Sequence, residues 1–180
     1  MRTAWLSAIG LGAIVTDLTG QARPAMDLVT HSRVRIERPA ASIWPLIIEP
    51  SSWKRGLELV HHEGPRGARG EVFAARDPGS RATIAFFVEN VELETNRRRT
   101  IKLYAPTGTL IGFATWTLTG VDGGTEVGYD VFSETVVSQE QARAMGRDSL
   151  RLMERQAFTT NQQRFDDELL ALKRLVESRP

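Results

Sequence analysis

The stretch Val34–Trp53, VRIERPAASIWPLIIEPSSW, decides how the rest of the chain is read. Val34 and Ile36 alternate with Arg33, Arg35 and Glu37, the period-two pattern of a strand with one buried face, expected over His31–Arg38. Pro39 lacks a backbone donor and ends it. Ser42-Ile43-Trp44-Pro45-Leu46-Ile47-Ile48 then reads as a short helix, and because proline is best tolerated in a first turn, Pro45 sets the expected start near Ser42. Glu49-Pro50 closes this helix. Ser51 is suited to cap a second brief helical turn that carries Trp53, before Gly56 releases the chain.

Beyond this stretch the texture is strand and turn as far as Val137. Strands are expected at Leu57–Glu63, Gly70–Arg76, Ala82–Leu93, Thr100–Ala105, Thr109–Leu118 and Glu126–Val136. The separators Gly64-Pro65-Arg66-Gly67, Asp77-Pro78-Gly79-Ser80, Thr95-Asn96-Arg97, Pro106-Thr107-Gly108 and Asp122-Gly123-Gly124 are short enough to make consecutive strands antiparallel. With no βαβ crossover available, a parallel sheet is excluded. From Ser138 to Ser178 the chain turns helical, with Leu150, Met153, Ala157, Phe165, Leu169, Leu172 and Val176 near one stripe and Ser138 with Gln141 as a capping box. One straight helix of that length would run about 60 Å, too long for a domain of this size, so a break is expected at Gly146 or around Phe158-Thr159-Thr160-Asn161. The class is α+β: a curved antiparallel sheet of about seven strands wrapped around a long C-terminal helix, with two short helices after the first strand.

Composition narrows the chemistry. The 180 residues are 41% hydrophobic and 25% charged, ordinary for one globular domain. With 23 Lys plus Arg against 22 Asp plus Glu, the charge of +1 provides no field for nucleic acid or an anionic membrane. There is no cysteine, which removes disulfides, thiolate metal sites and thiol nucleophiles, and there are only three histidines. At the N-terminus, Arg2 precedes an apolar run from Ala4 to Val15 that is too short to span a bilayer. It suits the apolar region of an export signal cleaved near Gly20-Gln21-Ala22, and equally a weakly helical tail. Residues 1–22 are therefore set apart from a folded domain over 31–178. The location is periplasmic or secreted if the segment is cleaved, and cytoplasmic otherwise.

The order of these motifs resembles the START/Bet v 1-like (SRPBCC) superfamily, in particular its polyketide cyclase/dehydrase-like branch. The resemblance rests on the strand ending in Pro39, the Trp44-bearing helix and the Pro50-then-Trp53 turn. It rests further on Gly70 after a Gly-rich turn, on Trp116-Thr117-Leu118 before Asp122-Gly123-Gly124-Thr125-Glu126-Val127, and on Leu169-Leu170-Ala171-Leu172-Lys173. It covers about 31–177. It implies a helix-grip fold enclosing an apolar cavity for a lipid, sterol, polyketide or similar molecule. No single activity follows, because the superfamily includes carriers, cyclases, hydroxylase domains and chaperone cofactors.

Alternation gives the cavity wall. Ala114, Trp116 and Leu118 share one strand face and Val127, Tyr129 and Val131 another; both sets are assigned inward. Ile101, Leu103 and Ala105 are inward candidates, leaving Tyr104 outside. Phe86 and Phe87 must point to opposite faces, and the sequence leaves open which is inward. The expected ligand-binding set is Phe86, Leu103, Ala114, Trp116, Leu118, Val127, Tyr129, Val131, Met153 and Phe165, each of which is also suited to plain core packing. His61-His62-Glu63 is the one acid/base cluster. Strand neighbours face opposite ways, so the two imidazoles do not share a metal ion. Either one of them enters the cavity as a general base or donor, or both sit at a solvated strand end. Arg76, Glu89, Glu92, Tyr129 and Asn161 are candidates for an isolated polar group that orients a ligand, Arg97-Arg98-Arg99 reads as a solvated turn, and Asp166, Asp167 and Glu168 read as surface. No G-x-S-x-G occurs, and Gly64, Gly67 and Gly70 lack the Lys-Ser/Thr of a phosphate loop.

The leading expectation is a binder of a hydrophobic or amphipathic small molecule, monomeric or homodimeric, with no cofactor, metal, nucleic acid or stable membrane insertion. The alternatives are a cyclase/dehydratase-type lyase using His61 or His62 with Tyr129 as catalytic residues, and a protein-interaction module of the Hsp90-cofactor type.

Overall fold

A computed structural model describes residues 25–50, 58–76, 83–136 and 139–179. The expected export signal, the second short helix with Ser51 and Trp53, and Ser138 of the expected capping box lie outside the described residues. The elements are β1 (Ala25–Ile36), α1 (Ala40–Ile48), β2 (Glu58–Glu63), β3 (Val72–Arg76), β4 (Ile84–Glu94), β5 (Arg98–Tyr104), β6 (Leu110–Val121), β7 (Gly124–Val136) and α2 (Gln139–Glu177). The seven strands form one antiparallel sheet in the order β1-β7-β6-β5-β4-β3-β2. Because β1 and β2 occupy opposite edges, the chain between them must cross the sheet, and α1 begins that crossing with Ile43, Leu46 and Ile47 in the core.

Local chemistry fixes the turns. β6 and β7 are joined by Asp122-Gly123 alone, with Gly123 at φ 71. The segment between β2 and β3 folds back so tightly that a Cβ on Gly64, already at φ +83, would stand 2.2 Å from the carbonyl oxygen of Gly70. Only glycine fits there.

The starts of β1 and α1 differ from those expected. β1 starts at Ala25 rather than His31, because β7 continues to Val136 and pairs with it along its whole length. The extension is masked in the sequence by Thr30, a polar residue that nevertheless faces inward and is buried, as is Ser32 two residues on. α1 starts at Ala40, with Pro39 as N-cap, so Pro45 stands inside the helix and not in its first turn. Pro45 lies on the exposed side of α1 and removes the donor to the carbonyl one turn earlier, while the bond from the Glu49 N–H to the Pro45 carbonyl (3.0 Å) still forms. The break in α2 falls at Gly146 (φ 71, ψ 166), one of the two expected places, and the helix runs unbroken through the other, 158–161.

α2 covers both the core face and the free edge of β1. Phe165, Leu169, Leu172 and Val176 are buried. A fully buried side chain of this kind contributes about 1.5–3 kcal/mol. Gln162 accepts from the His31 N–H (3.2 Å) and donates to the His31 carbonyl (3.0 Å). Lys173 donates to the Arg35 carbonyl (2.6 Å), and Glu177 accepts from the Glu37 N–H (2.9 Å). The unpaired backbone groups of an edge strand invite aggregation, and here helix side chains occupy several of them. Toward Gly146 the stripe loosens: Leu150, Met153 and Ala157 are half-buried, and Leu152 and Phe158 are exposed.

Candidate functional site

The inner face of the sheet, the one α1 and α2 cover, has an apolar centre. Across β6 and β7 the inward residues pair directly, Ala114 with Val131, Trp116 with Tyr129 and Leu118 with Val127, and all six are buried. The Trp116 and Tyr129 rings stack at 4.4 Å, and Phe165 meets Tyr129 edge-on at 5.2 Å. Such aromatic pairs add about 0.5–1.5 kcal/mol to the burial itself. Phe86 is the inward member of its pair and is buried; Leu103 is partly buried against the same cluster. Met153 alone of the expected wall lies outside that cluster, half-buried on the looser part of α2.

Toward the α1 end, the same face becomes polar. His61 of β2, Glu71 just before β3, Asn90 of β4 and Arg99 of β5 form a row across four neighbouring strands. Asn90 is 0% and Arg99 1% exposed. Arg99 Nε donates to Asn90 Oδ1 (2.9 Å), while Nη1 donates to the carbonyls of Ile47 and Ile48 (3.1 Å for the latter) at the end of α1. A buried cation thereby satisfies carbonyls that a helix C-terminus leaves orphaned. The guanidinium carbon lies 5.7 Å from the Trp116 ring centroid and 5.9 Å from that of Phe73, within cation–π range. Burial pushes the Arg99 pKa down to about 10, with the charges of Glu71 and Tyr129 acting the other way, so the group remains cationic at neutral pH. Glu71 accepts from the Gly67 N–H (2.7 Å) through Oε2 and faces His61 Nδ1 at 3.1 Å through Oε1. Among the described residues, Arg99 Nη2 and Asn90 Nδ2 are buried with no hydrogen-bond partner.

Arg99 overturns the reading of Arg97-Arg98-Arg99 as a solvated turn. β5 begins at Arg98, so the turn ends at Arg97, and alternation carries Arg99 inward on the same face as Ile101. Arg97 and Arg98 do lie at the surface, beside Glu94 (3.6 Å) and Glu92 (3.2 Å). The parity of Ile101 already contained this placement, and a strand start set at Thr100 hid it. Glu71 and Asn90 carried no signal beyond position: each is one polar residue ending an inward series, Asn90 after Phe86 and Val88.

Other candidates fall elsewhere. His62 is exposed on the outer face, its ring 5.0 Å from Phe87, which stacks on Tyr104 at 5.7 Å. Of the adjacent histidines, only His61 shares a face with the core. Glu89 lies beside Lys102 (4.0 Å), and Glu92 accepts from Thr100 (2.9 Å). Arg76 and Asn161 are half-buried. Asp167 is exposed, as expected of a surface residue, but Asp166 is half-buried and accepts from Gln162 (3.0 Å), and Glu168 is half-buried too. Among the described residues, no group of three or more His, Cys, Asp or Glu is placed to hold a metal ion, and no helix is long and apolar enough to cross a membrane.

A groove of about 410 Å³ opens at this end of the molecule, lined by Trp44, Pro45, Ile48, Glu49, Gly67, Leu93 and Thr95. Two of these residues touch the polar row directly, Ile48 through its carbonyl on Arg99 and Gly67 through its N–H on Glu71.

Comparison with solved structures places the architecture. A Staphylococcus aureus protein of unknown function aligns over 86% of this chain and 96% of its own, with a TM-score of 0.67 at 8% identity. The protein Ara h 8.0201 aligns over 85% and 99%, with a TM-score of 0.57 at 12% identity. The di-domain ARO/CYC protein BexL of the BE-7585A biosynthetic pathway aligns over 86% of this chain and 52% of its own, with a TM-score of 0.60 at 17% identity. At such identities the likeness is one of fold, and this chain spans about half of BexL. Comparison with curated protein sequences finds no match. A family profile described as polyketide cyclase/dehydrase and lipid transport matches residues 26–177, so the chain belongs to that family, within the START/Bet v 1-like superfamily.

Proposed function

We propose that the protein binds a hydrophobic or amphipathic small molecule of lipid, sterol or polyketide type on the inner face of the sheet, under α1 and α2. Phe86, Leu103, Ala114, Trp116, Leu118, Val127, Tyr129, Val131 and Phe165 form its apolar wall, and Met153 flanks it on the looser part of α2. The observation that carries this reading is the position of Trp116, stacked on Tyr129 on one side and facing the Arg99 guanidinium on the other. One continuous face thus offers apolar area beside a few fixed polar groups, the usual make-up of a small-molecule site. The adjoining groove is within the range of about 300–1,000 Å³ typical of such sites. Family membership supports the reading. Native mass spectrometry of protein purified from its source cells, with displacement of the neutral dye Nile red, tests it. A co-purifying apolar molecule that competes with the dye is expected; absence of both a bound molecule and dye binding contradicts it. If residues 1–22 are an export signal, this binding takes place outside the cytoplasm, and N-terminal sequencing of the mature protein decides that.

A second reading is favoured by His61. Its Nδ1 lies against the carboxylate of buried Glu71, a pairing that puts the proton on Nδ1 and leaves Nε2 as a base. In a cyclase or dehydratase, that atom removes a proton from a bound polyketide-like substrate. His61→Ala then abolishes turnover with the fold intact, while His62→Ala leaves it unchanged.

A further inference from the structure

The donors in the polar row outnumber its acceptors. Both Glu71 oxygens are engaged, one by the Gly67 N–H and one by His61, and Asn90 Oδ1 is taken by Arg99 Nε. What remains is Arg99 Nη2 and Asn90 Nδ2, two buried amino groups on side chains 2.9 Å apart, neither with an acceptor among the described residues. A buried unsatisfied donor costs about 1–3 kcal/mol, more when charged. Bracing α1 accounts for Nη1, and holding Asn90 accounts for Nε; neither role uses Nη2 or Nδ2. The missing partner is therefore an oxygen acceptor, and the adjacent guanidinium favours an anionic one.

We propose that Arg99 and Asn90 form the polar anchor of the ligand site and take an anionic oxygen, a carboxylate or an ionised enol, at one end of an otherwise apolar molecule. This rests on the binding function proposed above and names the ligand's head group. The molecule enters by the groove at the end of α1, passing Trp44, Pro45 and Leu93, and Ile48 and Gly67 connect that groove to the row. Its apolar body lies toward Trp116 and the rest of the wall.

The test compares laurate with methyl laurate, which shares the chain but lacks the charge, by calorimetric titration of the wild-type protein and of Asn90→Asp. The aspartate keeps the acceptor for Arg99 Nε. Its second oxygen replaces the free Nδ2 donor and offers a partner to Arg99 Nη2, cancelling both the donors and the charge. The wild type should bind laurate at least about tenfold more tightly than the ester, the worth of one charged hydrogen bond. Asn90→Asp should erase that preference without lowering Tm, a combination that misfolding cannot produce. Equal binding of acid and ester by the wild type, or a preference that survives in Asn90→Asp, overturns the anchor. Nile red separates the two levels: if the dye binds and neither laurate compound does, the anchor falls and the binding function stands; if the dye also fails, both fall.

Discussion

The two halves of the inner face differ in how their groups are satisfied. In the centre, Trp116, Tyr129 and Phe165 satisfy one another by stacking and burial. At the α1 end, Arg99 and Asn90 are buried just as completely yet keep donors in reserve. Equal burial thus goes with two kinds of contact, apolar stacking in the centre and a buried charged donor pair at the α1 end, and the proposed site uses both.

Mutations should separate the halves by size and kind. Trp116→Ala removes the largest fully buried side chain among the described residues and should cost about 3–5 kcal/mol by urea unfolding. A cost under about 1 kcal/mol would mean that the centre is not close-packed. Arg99→Met leaves the Ile47 and Ile48 carbonyls and Asn90 Oδ1 without their donor, and a loss of about 1–3 kcal/mol is expected, with α1 loosening first by amide exchange. Glu71→Gln keeps an acceptor for Gly67 and removes the charge facing His61 and Arg99, for a change of about 1 kcal/mol by urea unfolding.

The smallest effect lies outside both halves. Burial raises the Asp130 pKa, but the hydrogen bonds and charges of Arg33 and His31 together outweigh it and hold the carboxyl below its ordinary range. A lowered folded-state pKa contributes stability that is present above the unfolded-state value and is lost as pH falls through the folded one. Asp130→Asn should therefore flatten the acid limb of the stability curve and cost at most about 1 kcal/mol at neutral pH, since the pair is partly solvated. A neutral-pH loss as large as that of Arg99→Met would erase the distinction between surface and interior pairs.

Much of this architecture is written in local chemistry. Pro39, the Gly-bearing turns and the alternation of Trp116 with its neighbours each act within a few residues, and they place the strands, the antiparallel order and the inward set. Gly146 breaks α2 for an equally local reason. The polar row was not legible in the same way, because its members are 10, 19 and 9 residues apart along the chain and meet only through strand pairing. Arg99 shows the difficulty best: three consecutive arginines look like solvent-facing charge until the strand is known to begin at Arg98. Thr30 is a milder case, an inward polar residue that concealed the first half of β1.

The central claim, that one inner face joins an apolar wall to an oxyanion anchor, is tested most directly by amide-correlation NMR during titration with laurate. The Asn90 side-chain amide, the Arg99 Nε–H and the Trp116 indole resonances should move together and saturate at one equivalent, with methyl laurate moving the indole but not the other two. Laurate shifts confined to surface residues, with all three resonances unmoved, would contradict it.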